Sequence, residues 1–179
     1  MLPNRFRAAG RLSPDSGANV RALIVTCTLK KSPEPSNTEA PSAVVAVRLS
    51  GHDVEVDFVR AVDLDIAPGV VTDAGDGDEW PRVHAQLLES DNRVTGVVVT
   101  GNEDGAHHVI SEISGSLADT GCTIPGQAWT YWPLGPGPGP GHLEEQRGRD
   151  RAHHTGRSMA DNLLGVAHAL SVSPLRARG

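Results

Sequence analysis

Two polar segments of this chain have the composition of ligand-binding loops, and the first is suited to an anion. The first follows the apolar run Ala22–Val25 and contains Thr26, Thr28 and the triplet Ser36-Asn37-Thr38. A buried strand, a polar loop and a helix start in this order direct backbone N–H groups at an anion. Because the loop has neither a Walker A nor a G-x-G-x-x-G pattern, it favours a mononucleotide site in a doubly wound sheet. An ordinary capped helix that binds nothing is the alternative.

The second segment, Gly101–Ala106, follows the strongest strand pattern of the chain, Thr95–Thr100. Ligands of open α/β sheets bind at the carboxyl ends of the strands, which is where this segment falls. Its small residues allow a flat ring to approach the backbone closely. The alternative is a plain strand-to-helix turn with Asp104 as the helix cap.

Three segments together resemble the NAD(P)H-dependent FMN reductases, a flavodoxin-like family of oxidoreductases. They are Ser36–Thr38, Thr100–His108 and Pro125–Trp132, and the resemblance covers most of Val20–Leu170. It implies an α/β three-layer sandwich with a parallel sheet, bound FMN, NAD(P)H as the reductant and a small-molecule acceptor. No catalytic acid, base or nucleophile is then needed, and a homodimer is expected. The implied FMN contacts are Thr26, Thr28, Ser36, Asn37, Thr38, Gly101, Asn102, Glu103 and Gly105.

One unit of the resembled family is missing from this chain. In the family, the helix corresponding to Trp80–Glu89 leads into a central strand, a loop that contacts the flavin ring and another helix. Here Ser90-Asp91 passes directly to Asn92 and the strand Val94–Thr100, so roughly 30 or more residues are absent. The prediction is an internal deletion near 91–92 and a sheet of four strands, with the family's first and fourth strands adjacent. A remnant that acts as a non-catalytic binding or interaction protein is the alternative function.

The pattern of apolar and capping residues predicts one domain, at residues 20–170, that carries both loops. Residues 1–19 are expected to be a disordered extension, and residues 171–179 a tail. An edge strand is expected at Val54–Val59, and a semi-rigid loop at Gly135–Gly141. The stretch Gln146–His154 is expected to be solvated, with Thr155 capping the last helix. Helices are predicted at Thr38–Leu49, Trp80–Glu89, Ala106–Thr120 and Thr155–Leu170.

Composition excludes several functions. A net charge of −6 argues against nucleic acid or an anionic membrane as the partner, and no apolar run is long enough for a membrane span. Two cysteines are too few for a disulfide framework, so a cytoplasmic location is expected, with Cys27 buried and inert. No metal site is expected, because His108 and Glu112 lack further ligands.

The aromatic cluster Trp129–Trp132 allows three interpretations. It holds three of the six aromatic residues of the chain. Such a cluster can fill a core, form a dimer contact or lie beside a flavin ring, since aromatic side chains bury large areas and stack. The sequence leaves these three open.

Overall fold

Parallel strand pairs and four α-helices make up the fold of the computed structural model. It describes residues 20–89, 92–101, 105–133, 139–146 and 148–176. The strands are β1 (Arg21–Thr26), β2 (Glu55–Arg60), β3 (Val97–Gly101) and β4 (Trp129–Pro133). The helices are α1 (Glu39–Ser50), α2 (Trp80–Leu88), α3 (Ala106–Asp119) and α4 (Arg149–Val172), and a single 3₁₀ turn spans Ala61–Asp63.

The four strands form two separate parallel pairs. β1 pairs with β2, with Ala22 opposite Val56, and β3 pairs with β4, with Thr100 opposite Trp132. The prediction of four parallel strands is therefore confirmed. The predicted adjacency of β1 and β3 is wrong, since hydrogen bonding within the described residues joins strands only inside each pair. In a flavodoxin-like sheet the strand order is 2-1-3-4-5, so the third strand lies between the first and the fourth and pairs with both. Without that strand, β1 and β3 of this chain have no strand between them to join the two pairs.

A shared core keeps the two pairs in one domain. Helices α1 and α4 pack against each other, and their buried residues form its centre. Ala22 of β1, Val56 of β2 and Val98 of β3 all pack against that centre. Side chains of both strand pairs thus pack on one core, which holds the pairs together without strand pairing between them. Each fully buried aliphatic side chain stabilises the fold by about 1.5–3 kcal/mol. The central residues are Val45, Leu49, Val54, Met159, Ala160 and Leu164.

The opposite face of the β3–β4 pair carries α3, whose apolar side is only partly covered. Ile110 is buried, whereas Val109 and Ile113 are 40% and 41% exposed. An amphipathic helix in a complete three-layer sandwich buries such a stripe against its neighbours. The incomplete cover agrees with a layer that has lost one helix.

Helix α4 begins earlier than predicted, at Arg149. Gly148 precedes it with φ of 76°, a left-handed conformation that glycine adopts without strain. Ala152 is buried, and Thr155 lies inside the helix with its hydroxyl donating to the carbonyl of Ala152 at 3.1 Å. The prediction of Thr155 as a cap is therefore wrong. The described part of the stretch Gln146–His154 is largely exposed, as predicted, but it is helical from Arg149 and buries Ala152.

The remaining predicted elements fall mostly within a few residues of the observed ones. Asp78, just before α2, accepts hydrogen bonds from the amides of Ala67, Ala74 and Trp80, and these bonds lower the pKa of its carboxyl group. Most of the predicted loop 135–141, and the extension 1–19, lie outside the described residues. No helix in the described part of the chain is both long and apolar enough to cross a membrane.

Candidate functional site

The start of α1 meets the carboxyl end of β3. The hydroxyl oxygens of Thr38 and Thr100 are 3.1 Å apart and share a hydrogen bond. Next to this contact lies a cavity of about 110 Å³. The structure thus brings the two polar segments of the sequence to one place, at the edge where open α/β sheets hold ligands. The residues that line the cavity are Asn37, Thr100, Gly101, Trp132, Gly141 and His142.

Three of the predicted phosphate contacts shape the loop after β1. The Thr26 hydroxyl donates to the carbonyl of Val59 at 3.3 Å, and that of Thr28 accepts from the amide of Lys30 at 3.3 Å. Ser36 is buried, and its hydroxyl accepts from the amide of Glu39 at 3.3 Å, which caps α1. These hydroxyls therefore serve the loop conformation, and none of the three lines the cavity.

The other predicted residues divide between the cavity and its surroundings. Asn37 and Gly101 line the cavity, and Thr38 reaches it through its bond to Thr100. Gly105 is exposed before α3 and does not line it. Asn102 and Glu103 lie outside the described residues.

The end of β2 fixes the loop between β1 and α1. The Arg60 guanidinium donates to the carbonyls of Lys30 and Glu34 at 3.2 and 3.0 Å, and it pairs with the Glu39 carboxylate. Beyond it, the Asp63 carboxylate accepts from the Ser32 amide at 2.8 Å and from its hydroxyl at 2.5 Å. These bonds to Ser32 lower the pKa of the Asp63 carboxyl group. The amides of Ser32 and Glu39 are therefore used within the chain and are not free for an anion.

Asn37 also fixes the loop after β4. Its side-chain oxygen accepts from the Leu143 amide at 3.0 Å, while the Glu144 carboxylate accepts from the Gly141 amide at 3.0 Å. A Cβ atom on Gly141 would collide with the Asn37 carboxamide. Glycine therefore permits this close approach, which closes one side of the cavity.

His142 is fully buried at the cavity wall. Its ring lies edge-on to Trp132, with centroids 5.3 Å apart and an interplanar angle of 85°, and 5.5 Å from the ring of His153. Neither ring nitrogen of His142 has a hydrogen-bond partner among the described residues, and the same holds for Nε2 of His153 and Nε of Arg149. A group of buried donors and acceptors thus lies beside the cavity without internal partners.

Burial and nearby positive charge keep this histidine neutral. Burial, followed by the charges of Arg149 and His153, lowers the pKa of His142 to about 4. Burial, followed by Arg149 and Arg157, lowers the pKa of His153 as well. A neutral imidazole offers one N–H donor and one acceptor nitrogen. His142 can therefore donate to an acidic ligand group at neutral pH without carrying a charge.

The aromatic cluster divides between two faces of β4. Trp132 is 2% exposed and forms a wall of the cavity. Tyr131 points the other way, with its hydroxyl 3.3 Å from Nε2 of His107 and the two rings 4.9 Å apart. Trp129 is 37% exposed. Core filling and a position at the cavity wall thus both apply to Trp132.

A cysteine and a search for metal ligands bear on the chemistry near the site. Cys27, expected to be buried, is exposed just after β1, so that prediction is wrong. Within the described ranges there is no group of three or more histidine, cysteine or acidic side chains that could hold a metal ion.

The size of the cavity limits what it can hold. One water takes about 30 Å³ of liquid volume, so about 110 Å³ accommodates a few waters or one phosphate group. Pockets for whole drug-sized ligands measure roughly 300–1,000 Å³. The cavity therefore has room for a group the size of a phosphate and not for a whole mononucleotide.

Comparison with known proteins gives two relatives in sequence. The chain is 28% identical to 8-demethyl-8-aminoriboflavin-5'-phosphate synthase of Streptomyces davaonensis, over 87% of this chain and 80% of that protein. It is 31% identical to the divalent metal cation transporter MntH of Mycobacterium bovis, over 88% of this chain. The chain spans only 30% of the MntH sequence, so the transport activity in that name is not carried over. No family model matches the chain.

Solved structures decide the fold. The crystal structure of RosB with the bound intermediate 8-demethyl-8-formylriboflavin-5'-phosphate superposes with a TM-score of 0.78 at 25% identity, over 87% of this chain and 82% of RosB. A short-chain flavodoxin associated with a non-canonical PDU bacterial microcompartment superposes with a TM-score of 0.51 at 16% identity, over 83% of this chain and 99% of that one. The fold is flavodoxin-like. The expected three-layer α/β class is thereby confirmed.

The sequence alignments also bear on the missing unit. They run over 205 and 208 positions, which is more than the 179 residues of this chain. Both relatives therefore carry residues that this flavodoxin-like chain lacks. The position of the gap near 91–92 stays a prediction.

Proposed function

We propose that this chain binds a flavin mononucleotide at the carboxyl edge of its parallel strands, with the phosphate end in the cavity beside Asn37. The observation that carries the proposal is that Asn37, from the loop after β1, and Thr100 and Gly101, from the end of β3, line one cavity. Flavodoxin-like sheets hold FMN at this switch point. The bound riboflavin-5'-phosphate derivative in RosB and the name of the Streptomyces relative support a flavin as the ligand.

The proposed activity is that of an FMN-dependent oxidoreductase that takes hydride from NAD(P)H and passes it to a small-molecule acceptor. A bound flavin supplies hydride-transfer chemistry, and the protein supplies binding and orientation. In this chain the Thr38–Thr100 contact sets the spacing of the two loops, and Asn37 holds the loop of Gly141 over the cavity. The buried His142 and Trp132 keep bulk water away from that end of the ligand.

A non-catalytic binding protein is the second candidate, and the small cavity favours it. Micromolar affinity requires about −8 kcal/mol net. Hydrogen bonds to a charged phosphate contribute about 1.5–3 kcal/mol each, while immobilising a ligand costs about 4–15 kcal/mol. The phosphate end alone is therefore close to break-even, and residues that contact the ring decide whether FMN is retained.

Titration of the purified chain separates these functions. FMN is added while flavin fluorescence and the visible spectrum are recorded, and NADPH or NADH is then added under anaerobic conditions. Binding followed by bleaching of the flavin supports the oxidoreductase. Binding without bleaching supports the binding protein. Absence of binding overturns the proposed flavin site.

A further inference from the structure

We propose that His142 recognises the phosphate group of the mononucleotide, with the positive charge of Arg149 acting from behind it. The inference rests on the proposed flavin site, and it assigns the recognition of the ligand's anionic end to the loop after β4. This differs from the sequence-based expectation, which placed the phosphate on the hydroxyls of the loop after β1. The hydroxyls of Thr26, Thr28 and Ser36 form hydrogen bonds to backbone groups of the chain.

The unpartnered nitrogens are the first argument. Buried polar groups in folded proteins almost always have hydrogen-bond partners, so each exception calls for an explanation. His142 is fully buried, lines the cavity and has no partner at either ring nitrogen among the described residues. Its ring is fixed by Trp132 on one side and His153 on the other. A ligand group in the cavity would supply the partner that the chain does not.

The surrounding charges select the kind of ligand. Arg149 acts on both histidines, and Arg157 acts on His153. Asp150 opposes them at His153, and the Glu144 carboxylate lies at the cavity wall, where the Gly141 amide donates to it. A cation in the cavity would meet this excess of positive charge. A phosphate offers acceptor oxygens to the N–H of His142 and a negative charge that the nearby arginines favour.

The far side of the cavity completes the fit. Thr100 and Asn37 line the same cavity as His142, and about 110 Å³ suits one phosphate group. The donors therefore converge from three segments: the loop after β1, the end of β3 and the loop after β4. Such convergence places an anion without requiring a glycine-rich loop.

The test compares His142→Phe with the parent chain. Phenylalanine keeps the ring that packs on Trp132 and removes both nitrogens. His154→Gln is the matched control, because His154 is the exposed histidine next to His153. Dissociation constants are measured by calorimetry for FMN, for riboflavin, which lacks the phosphate, and for inorganic phosphate as a competitor of FMN.

We expect His142→Phe to weaken FMN binding by about tenfold or more, as for a lost hydrogen bond to a charged group. Riboflavin binding should change by less than about twofold, and His154→Gln should bind FMN like the parent. The thermal midpoint of His142→Phe should be unchanged or higher, since an unpartnered polar group has been removed while the packing is kept. A histidine with only a structural role would lower the midpoint and leave the ratio of FMN to riboflavin affinity intact.

The outcomes distinguish this inference from the proposed function. If the parent binds FMN and His142→Phe retains the same preference for FMN over riboflavin, the role of His142 is overturned and the flavin site stands. If the parent binds neither flavin, the flavin site itself is overturned. If His142→Phe fails to fold, His142→Gln is measured in the same way, since it retains an N–H donor and should keep part of the preference.

Discussion

Acid should destabilise this fold in part through His142. Its pKa is lowered to about 4 in the folded chain, against a reference of 6.5. Between these values the unfolded chain binds the proton more readily than the folded chain, so the free energy of unfolding falls as the pH falls. The stability is complete above pH 6.5 and is lost through the window down to about pH 4. One pKa unit corresponds to 1.36 kcal/mol, which gives a loss of about 2 kcal/mol at pH 5 and about 3 kcal/mol below pH 4.

Urea unfolding at pH 8, 6.5 and 5, in buffers without phosphate, measures this loss for the parent chain, His142→Phe and His154→Gln. His142→Phe should lose about 2 kcal/mol less stability between pH 8 and pH 5 than the parent does, because phenylalanine does not titrate. His154→Gln should follow the parent, since its side chain is exposed. Equal pH dependence in the parent and His142→Phe would refute the placement of a neutral, fully buried histidine beside Trp132.

Two further predictions concern the packing that positions the site. Gly96→Ala should lower the free energy of unfolding by about 1–3 kcal/mol, because the added Cβ would collide with neighbouring backbone and lie 2.6 Å from Cε of Met159. The control is Gly115→Ala in α3, where the added Cβ meets nothing within 4 Å and should stabilise the chain by up to about 1 kcal/mol. Thr130→Val should lower the free energy of unfolding by about 1 kcal/mol, since the buried Thr130 hydroxyl donates to the Ala152 carbonyl of α4 at 2.7 Å. The control is Thr95→Val, which removes a buried hydroxyl without a partner among the described residues and should be neutral or stabilising in the same urea assay. Equal costs within either pair would contradict the close packing of Gly96 or the buried hydrogen bond of Thr130.

The elements nearest the first segment were predictable from the sequence because their signals are local. Apolar runs identify β1 and the core face of α1, and the polar triplet Ser36–Thr38 marks the helix start within one residue. The joining of Asn37 with Thr100 and Gly101 follows from the same rules, because carboxyl ends of parallel strands share one edge of a sheet.

The features that escaped prediction depend on contacts distant in sequence. The start of α4 shows no apolar periodicity, because among the described residues of this charged stretch only Ala152 is buried. Its burial comes from packing of α4 against β4, which lies far away in sequence. His142 follows a run of glycine and proline, and it is buried because Asn37 binds the loop that carries it. The separation of β1 from β3 reflects strand pairing, which no local pattern determines.

The most direct test of the central claim is a calorimetric titration of the full chain with FMN, repeated with riboflavin and with inorganic phosphate present. A site formed by the two loops predicts one FMN bound per chain. It also predicts binding at least about tenfold tighter than that of riboflavin and displacement by phosphate, as a charged hydrogen bond implies. Equal binding of FMN and riboflavin, or no binding of either, would contradict the claim that Asn37, Thr100 and His142 together hold a mononucleotide by its phosphate.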